Sequence, residues 1–148
     1  MQLSQFTDYG LRTLIYLAVA PDQAATMAEI SEAYGISSHH GAKVATALAH
    51  NGWVAARRGR NGGLRLAKDP ADIRIGAVVR TLESMDRMVE CAMPGESECA
   101  ILPACDLRHM IMEAQECFLR CLDQYTLADA SRPKDDLVQL LQIRLPAP

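Results

Sequence analysis

The stretch Thr26-Met27-Ala28-Glu29-Ile30-Ser31-Glu32-Ala33-Tyr34-Gly35-Ile36-Ser37-Ser38-His39-His40-Gly41-Ala42-Lys43-Val44 decides the fold. Thr26 and Glu29 form a capping box, in which each side chain serves the other residue's backbone N–H. The helix they open runs through Ile30 and Ala33 and stops at Gly35, a residue suited to a left-handed C-cap. Ser37 caps a second helix, which carries Ala42, Val44, Ala45, Ala47 and Leu48 and ends at Asn51-Gly52. The link Tyr34-Gly35-Ile36-Ser37 has the length of a helix-turn-helix turn, with Gly35 where φ must be positive and Ile36 directed at the core.

Downstream, residues 53–58 alternate weakly and Leu64-Arg65-Leu66 alternates cleanly. Between them lies Arg58-Gly59-Arg60-Asn61-Gly62-Gly63, so the segment reads as a β-hairpin with a glycine-rich tip. A helix-turn-helix followed by a basic hairpin is a winged helix. The second helix then enters the major groove of DNA and the wing lies on the adjacent minor groove. Ser37, Ser38, His39, His40 and Lys43 occupy the first turns of that helix, within reach of base edges and phosphates. Arg57, Arg58, Arg60, Asn61, Gly62 and Gly63 form the wing face; its glycines allow close backbone approach, and Arg60 suits a narrow minor groove. His39 and His40 are adjacent and diverge around the helix, so they are expected to be exposed, one or both facing DNA, rather than to share a metal.

Upstream, residues 5–20 form the first helix through Phe6, Leu11, Leu14, Ile15, Leu17 and Ala18, and Pro21 ends it. Asp8 and Arg12, four apart, share a face and can pair; Asp8 is also a first-turn acid favoured by the helix dipole. After Asp69-Pro70, the residues Ile73, Ile75, Val78, Val79 and Leu82 make a short helix ending near Met85. A long helix follows Cys105, with Leu107, Met110, Ile111, Ala114, Phe118 and Leu122 as an apolar stripe. A core of this size has no place for the whole stripe, so a two-fold dimer through these helices is expected. Such a dimer sets two recognition helices about one DNA turn apart over a pseudo-palindromic operator. Thr126–Asp129 opens another capping box, and residues 131–148 read as a loosely ordered tail with one or two amphipathic turns through Leu137, Leu140 and Leu141.

Three of the five cysteines, Cys91, Cys99 and Cys105, fall within fifteen residues that also hold Pro94, Gly95 and Pro103. Those breakers make the segment a loop, which lets three thiolates converge. Soft thiolates select an iron–sulfur cluster, zinc or copper(I). Cys117 and Cys121, four apart on the long helix, are read as small side chains at the helix interface, with metal binding as the alternative. There is no nucleophile–base constellation and no phosphate loop, so no enzyme is expected; Gly59, Gly62 and Gly63 lie in a hairpin, not at a strand-to-helix turn.

Composition bounds these readings. The 148 residues are 49% apolar, enough for one domain of modest core. The net charge of −3 is segregated: residues 53–68 carry Arg57, Arg58, Arg60, Arg65 and Lys68 and no acid, whereas residues 83–129 carry ten acids. A basic patch on an acidic body still binds a phosphate backbone. No apolar run reaches membrane-spanning length and no signal peptide is apparent, so a cytoplasmic protein with no membrane partner is expected. In that compartment thiols stay reduced, which favours metal or redox use over disulfides.

Several motifs together carry a resemblance. Leu3-x-x-Phe6-Thr7-Asp8-Tyr9-Gly10-Leu11-Arg12, Tyr34-Gly35-Ile36-Ser37, residues 58–66, the three cysteines and Tyr125-Thr126-Leu127-Ala128-Asp129 occur in the order found in the iron–sulfur winged-helix transcription regulators of the NsrR, IscR and RirA types. The match covers about residues 2–130, and its two ends look most like the nitric-oxide-sensing NsrR type. The resemblance implies a mainly α fold with a small β-hairpin wing, a long dimerisation helix and a cysteine-bearing cluster loop, in one domain over 1–130. It implies a homodimeric repressor with one cluster per subunit, held by Cys91, Cys99 and Cys105. In NsrR-like members an Asp of the partner's first helix is the fourth ligand, and Asp8 matches that position, with Arg12 beside it. Three thiolates and one oxygen suit a 4Fe–4S cluster best, with 2Fe–2S as the alternative. IscR-like members use a His near the third cysteine; His109 does not match that spacing.

The implied function is a repressor that releases operator DNA when nitric oxide attacks its cluster. The rivals are an iron- or redox-responsive regulator of the same family, a structural-zinc DNA-binding protein and an electron-transfer protein. The last would have no need of a basic wing and would usually bring four cysteines per cluster.

Overall fold

The computed structural model describes residues 2–57, 62–84 and 99–144, with Arg57 described by its backbone alone. Cys91, Arg58, Arg60 and Asn61 lie outside the described residues, as do residues 145–148.

The core is built around α1, Gln5–Val19. Ser4 caps it by accepting the Thr7 N–H at 3.2 Å. Its inward face buries Thr7, Gly10, Leu14, Leu17 and Ala18, the three-and-four spacing that the sequence displays. Each fully buried leucine contributes about 1.5–3 kcal/mol. Around α1 stand α2 (Met27–Tyr34), α3 (Ser38–His50), α4 (Ile75–Leu82), α6 (Leu127–Ala130) and α7 (Lys134–Leu140).

The helix-turn-helix forms as the sequence predicts. Both bonds of the Thr26–Glu29 capping box are made, and Gly35 takes φ +64° at the end of α2. The Ile36 N–H donates to the Ser31 carbonyl at 2.9 Å, and the Ile36 side chain is buried. Gly41, which the sequence reading passes over, sets the closeness of α2 and α3: a Cβ there would meet Met27 and the Ser31 hydroxyl.

The sheet has three strands where two were expected. Val54–Arg57 (β2) and Gly63–Leu66 (β3) pair antiparallel, and Ala24–Ala25 (β1) pairs with the other edge of β3, in the order β1-β3-β2. Two alanines after a tight turn offer no alternation to read. Leu64 and Leu66 point into the core and Arg65 points out. Gly63 faces the Ala25 carbonyl, so a Cβ there would collide with β1 backbone. Its smallness is thus demanded by the sheet itself.

Three sequence expectations are corrected in the rest of the chain. α4 stops at Leu82, because Glu83 turns extended and its carboxylate accepts from the Ser4 N–H at 2.8 Å and the Ser4 hydroxyl at 2.9 Å. The segment 134–144, read as a loose tail beyond a domain end at 130, packs on the body. Leu137, Val138 and Leu141 touch the core and Ile143 is only 9% exposed, whereas Leu140, expected on that apolar face, is 78% exposed. The expected α5 stripe also divides. In α5 (Asp106–Leu122), Ile111, Phe118 and Leu122 are half-buried beside buried Leu119, whereas Leu107 and Met110 are 60% and 62% exposed.

α5 is fastened near its C-terminal end. Arg80 on α4 reaches Glu116 at 3.0 Å and Asp123 at 2.7 Å. The Leu127 N–H donates to Ile73 O at 2.8 Å and the Ile75 N–H to Tyr125 O at 2.9 Å, closing the capping box of α6 onto the start of α4.

Candidate nucleic-acid interface and cluster-ligand face

Ser37 accepts the His40 N–H at 3.4 Å and so caps α3. Ser38, His39, His40 and Lys43 are all exposed along its first turns, the surface expected to meet DNA. His40 has a second set of contacts. Its Nδ1 lies 3.1 Å from the Ser37 hydroxyl, and its ring centroid is 6.1 Å from that of Tyr9 on α1 and 6.0 Å from that of His39. The histidine is therefore a link between α1 and the start of α3 as well as a surface group. Of the wing face, Gly62 and Gly63 are described and Gly63 is held by β1; Arg65, outward on the central strand, and Lys68 are exposed.

The same first turns of α1 carry Asp8 and Arg12. Arg12 grips Asp8 in a two-point pair, Nε to Oδ1 at 3.0 Å and Nη2 to Oδ2 at 2.9 Å. The same guanidinium lies 5.7 Å from the ring centroid of Tyr34, the last residue of α2. Burial pushes the Tyr34 hydroxyl pKa up, and Arg12 draws it partly back. Tyr9 and Tyr34 thus tie the first turns of α1 to both sides of the helix-turn-helix turn. No spacing rule in the sequence links residue 12 to residue 34; only the crossing of α1 and α2 does.

Cys99 is exposed and Cys105 half-buried. They bracket a short turn in which Leu102 N–H donates to Cys99 O at 3.0 Å and Ala104 N–H to Ile101 O at 3.0 Å. Cys105 is the N-cap of α5, and its own side chain makes no capping hydrogen bond. The open N–H groups of a helix start favour an anionic group, which a thiolate-ligated cluster is. Among the described residues of one chain, no three His, Cys, Asp or Glu side chains stand together as a metal site. Asp8, Cys99 and Cys105 are therefore not brought together within a chain. His109 is exposed, and so are Cys117 and Cys121, of which Cys117 accepts from Arg120 Nη2 at 3.2 Å.

A model of the Rrf2 family, described as iron-dependent transcriptional regulators, matches residues 3–133. The chain belongs to the Rrf2 family. Among Rrf2 relatives, the HTH-type transcriptional regulator NsrR of Geobacillus kaustophilus (strain HTA426) is 45% identical over 145 residues, covering 97% of this chain and 99% of that protein. NsrR of Bacillus subtilis (strain 168) is 43% identical over the same shares. The structure of CymR (YrzC), the global cysteine regulator of B. subtilis, superposes with TM-score 0.69 at 26% identity, over 90% of this chain and 98% of that one. T. potens IscR superposes with TM-score 0.68 at 22% identity, over 99% and 94%, which supports the fold. This Rrf2 protein is a transcriptional regulator with a winged-helix head, and its relatives are not enzymes. No helix among the described residues is long and apolar enough to cross a membrane.

Proposed function

We propose that this Rrf2 protein is a homodimeric repressor that reads nitric oxide through an iron–sulfur cluster. Cys91, Cys99 and Cys105 of one subunit would hold the cluster, with Asp8 of the other as fourth ligand. The observation that carries this reading is the place of Asp8. Its carboxylate is half exposed, and its guanidinium partner also rests on Tyr34 at the turn. The start of α5 at Cys105 suits an anionic centre. The names of the 43–45% identical relatives support the NsrR type over an iron-responsive branch.

The cluster, when bound, supplies iron sites open to nitric oxide and most loosely held at a hard carboxylate corner. The chain's own residues do the rest. Asp8 serves either Arg12 or a metal, since the two-point pair uses both of its oxygens. Arg12 carries that choice to Tyr34 and the end of α2. Tyr9, next to Asp8, carries any shift of α1 to His40 and the Ser37 cap of α3. Ser37, Ser38, His39, His40 and Lys43, with the wing residues Arg57, Arg58, Arg60, Asn61, Gly62 and Gly63, would engage a pseudo-palindromic operator.

The test is an anaerobic absorption titration of the purified protein with nitric oxide, with operator binding followed in parallel. A brown protein that bleaches and leaves DNA in step supports the reading. A brown protein whose DNA affinity ignores nitric oxide but follows iron supply moves it to the iron-responsive branch, and a colourless protein with one zinc per chain overturns the cluster. Asp8→Ala should weaken cluster retention and alter the nitric-oxide response; an unchanged spectrum and response would remove Asp8 from the ligand set.

A further inference from the structure

Four alanines leave a hollow on the flank of the molecule. Ala20 follows α1, Ala24 and Ala25 make β1, and Ala33 lies on α2; with the residues after α7 they line a cleft of about 630 Å³. Larger side chains at those positions would fill it. Leu141 and Ile143, both packed on the core, add apolar wall.

The polar lining is mostly acidic. Glu29 and Glu32 are three apart on α2 and both exposed, and like charges at that spacing repel. Neither has an ion-pair partner among the described residues. Glu29 makes both of its capping-box bonds to Thr26 through Oε2, so Oε1 remains available. Asp22 adds a third carboxylate and Arg144 one guanidinium, which leaves the lining two net negative charges.

Tyr16 carries the argument from an acidic patch to a site. It lines the cleft and is only 6% exposed. A tyrosine so deeply set ordinarily finds a partner for its hydroxyl. The Tyr16 hydroxyl has none among the described residues. Burial pushes its pKa up and the charges of Glu29 and then Glu32 push it further, so both carboxylates act on that oxygen.

The donor set says what fits. Among the described residues no three His, Cys, Asp or Glu side chains stand together as a metal site, so a metal ion would lack ligands here. A primary ammonium has three N–H donors. Glu29, Glu32 and the Tyr16 oxygen offer it three acceptors, and the alanine floor suits a methylene chain. A second ammonium on the same chain would match the remaining negative charge.

We propose that this cleft binds a small aliphatic diamine, with one ammonium held by Glu29, Glu32 and the Tyr16 hydroxyl and the methylene chain lying on the alanine floor. The site stands apart from the cluster ligands and does not rest on the nitric-oxide reading. An occupant would tie α2, the first helix of the helix-turn-helix, to β1 and to the segment after α7.

Calorimetric titration of the purified full chain with cadaverine, anaerobically and at low salt, tests this. One equivalent per chain should bind, with a shift in the tyrosine ultraviolet spectrum. Glu29→Gln and Glu32→Gln should each weaken binding about tenfold by removing a charge-assisted hydrogen bond; glutamine at 29 still serves the capping box. Tyr16→Phe should weaken it about threefold, abolish the spectral shift and leave the thermal midpoint of the free protein unchanged, because the lost hydroxyl has no partner to leave behind. Glu113→Gln, on α5, should change nothing.

L-lysine, the same chain with an added carboxylate, should bind more weakly than cadaverine. Tighter binding of lysine would hand the cleft to a basic amino acid and overturn the diamine. Equal losses in Glu113→Gln and Glu32→Gln would reduce the effect to general attraction by an acidic protein. A titration that does not saturate by about ten millimolar, or a Tyr16→Phe protein that binds and shifts like the parent, would remove the site.

Discussion

α3 and α5 are both amphipathic, and they end differently. α3 turns Val44 and Leu48 onto α1 and buries them completely, leaving only polar and small residues outside. α5 buries one face against the body and still holds Leu107 and Met110 out in solvent. α3 buries its large apolar residues within one chain; α5 leaves two of its own uncovered. The winged-helix half can therefore be argued from local rules, while the proposed role of the cysteine half rests on the proposed dimer.

The predictions probe that contrast from the largest effect to the smallest. Leu48→Ala should cost the folded head about 2–5 kcal/mol in a urea melt, since the side chain is fully buried. A loss no larger than that of a surface change would break the picture of a self-sufficient head. Gly63→Ala should cost about 1–3 kcal/mol, because the added methyl meets the Ala25 backbone that closes the sheet; an unchanged melt would detach β1 from the wing. Thr26→Ala should cost about 1 kcal/mol by removing the hydroxyl that accepts the Glu29 N–H in the capping box of α2. By contrast, Met110→Ser should leave the stability of the dilute single chain within about 0.5 kcal/mol. The same change should make the thermal midpoint of the concentrated protein less dependent on protein concentration. If it instead unfolds the dilute chain, the outward face of α5 belongs to the core.

The smallest effect concerns acid. Burial would raise the Glu83 carboxyl, but hydrogen bonds from Thr7 and Ser4 outweigh it and hold the group below its ordinary value of 4.5. A carboxyl depressed in the fold stabilises above its ordinary value, and that contribution is lost as pH falls through the lower folded value. Unfolding followed over the range below about pH 5 should therefore show a shallower acid dependence for Glu83→Gln than for the parent. Equal slopes would mean that the Ser4 tie between α4 and α1 does not persist in solution.

Legibility followed the range of the interaction. The caps at Thr26, Ser37 and Thr126 and the turn at Gly35 involve residues three or fewer positions apart, and each appears where the sequence puts it. The start of the helix that carries the candidate DNA face was readable for the same reason, since an N-cap defines where a helix begins. The two-residue β1, the early stop of α4 and the docking of 134–144 were not readable. Each depends on a partner far along the chain: Leu64 and Arg65 for β1, Ser4 for Glu83, and α1 for Ile143. The link from Asp8 through Arg12 to Tyr34 was half readable, as a helical i, i+4 pair without its aromatic end.

By itself, then, the sequence determined the helix-turn-helix, the hairpin, the apolar periodicity of α1 and α5, and three cysteines in a segment full of helix breakers. Local propensity, capping and periodicity act over a turn or two and are written directly in neighbouring residues. Only the tertiary structure decided which face of α5 is inward, that Gly63 yields to Ala25, and that Arg12 reaches Tyr34. Those outcomes turn on which surfaces meet when α1 is enclosed, and close packing lets only one arrangement of volumes and charges fit.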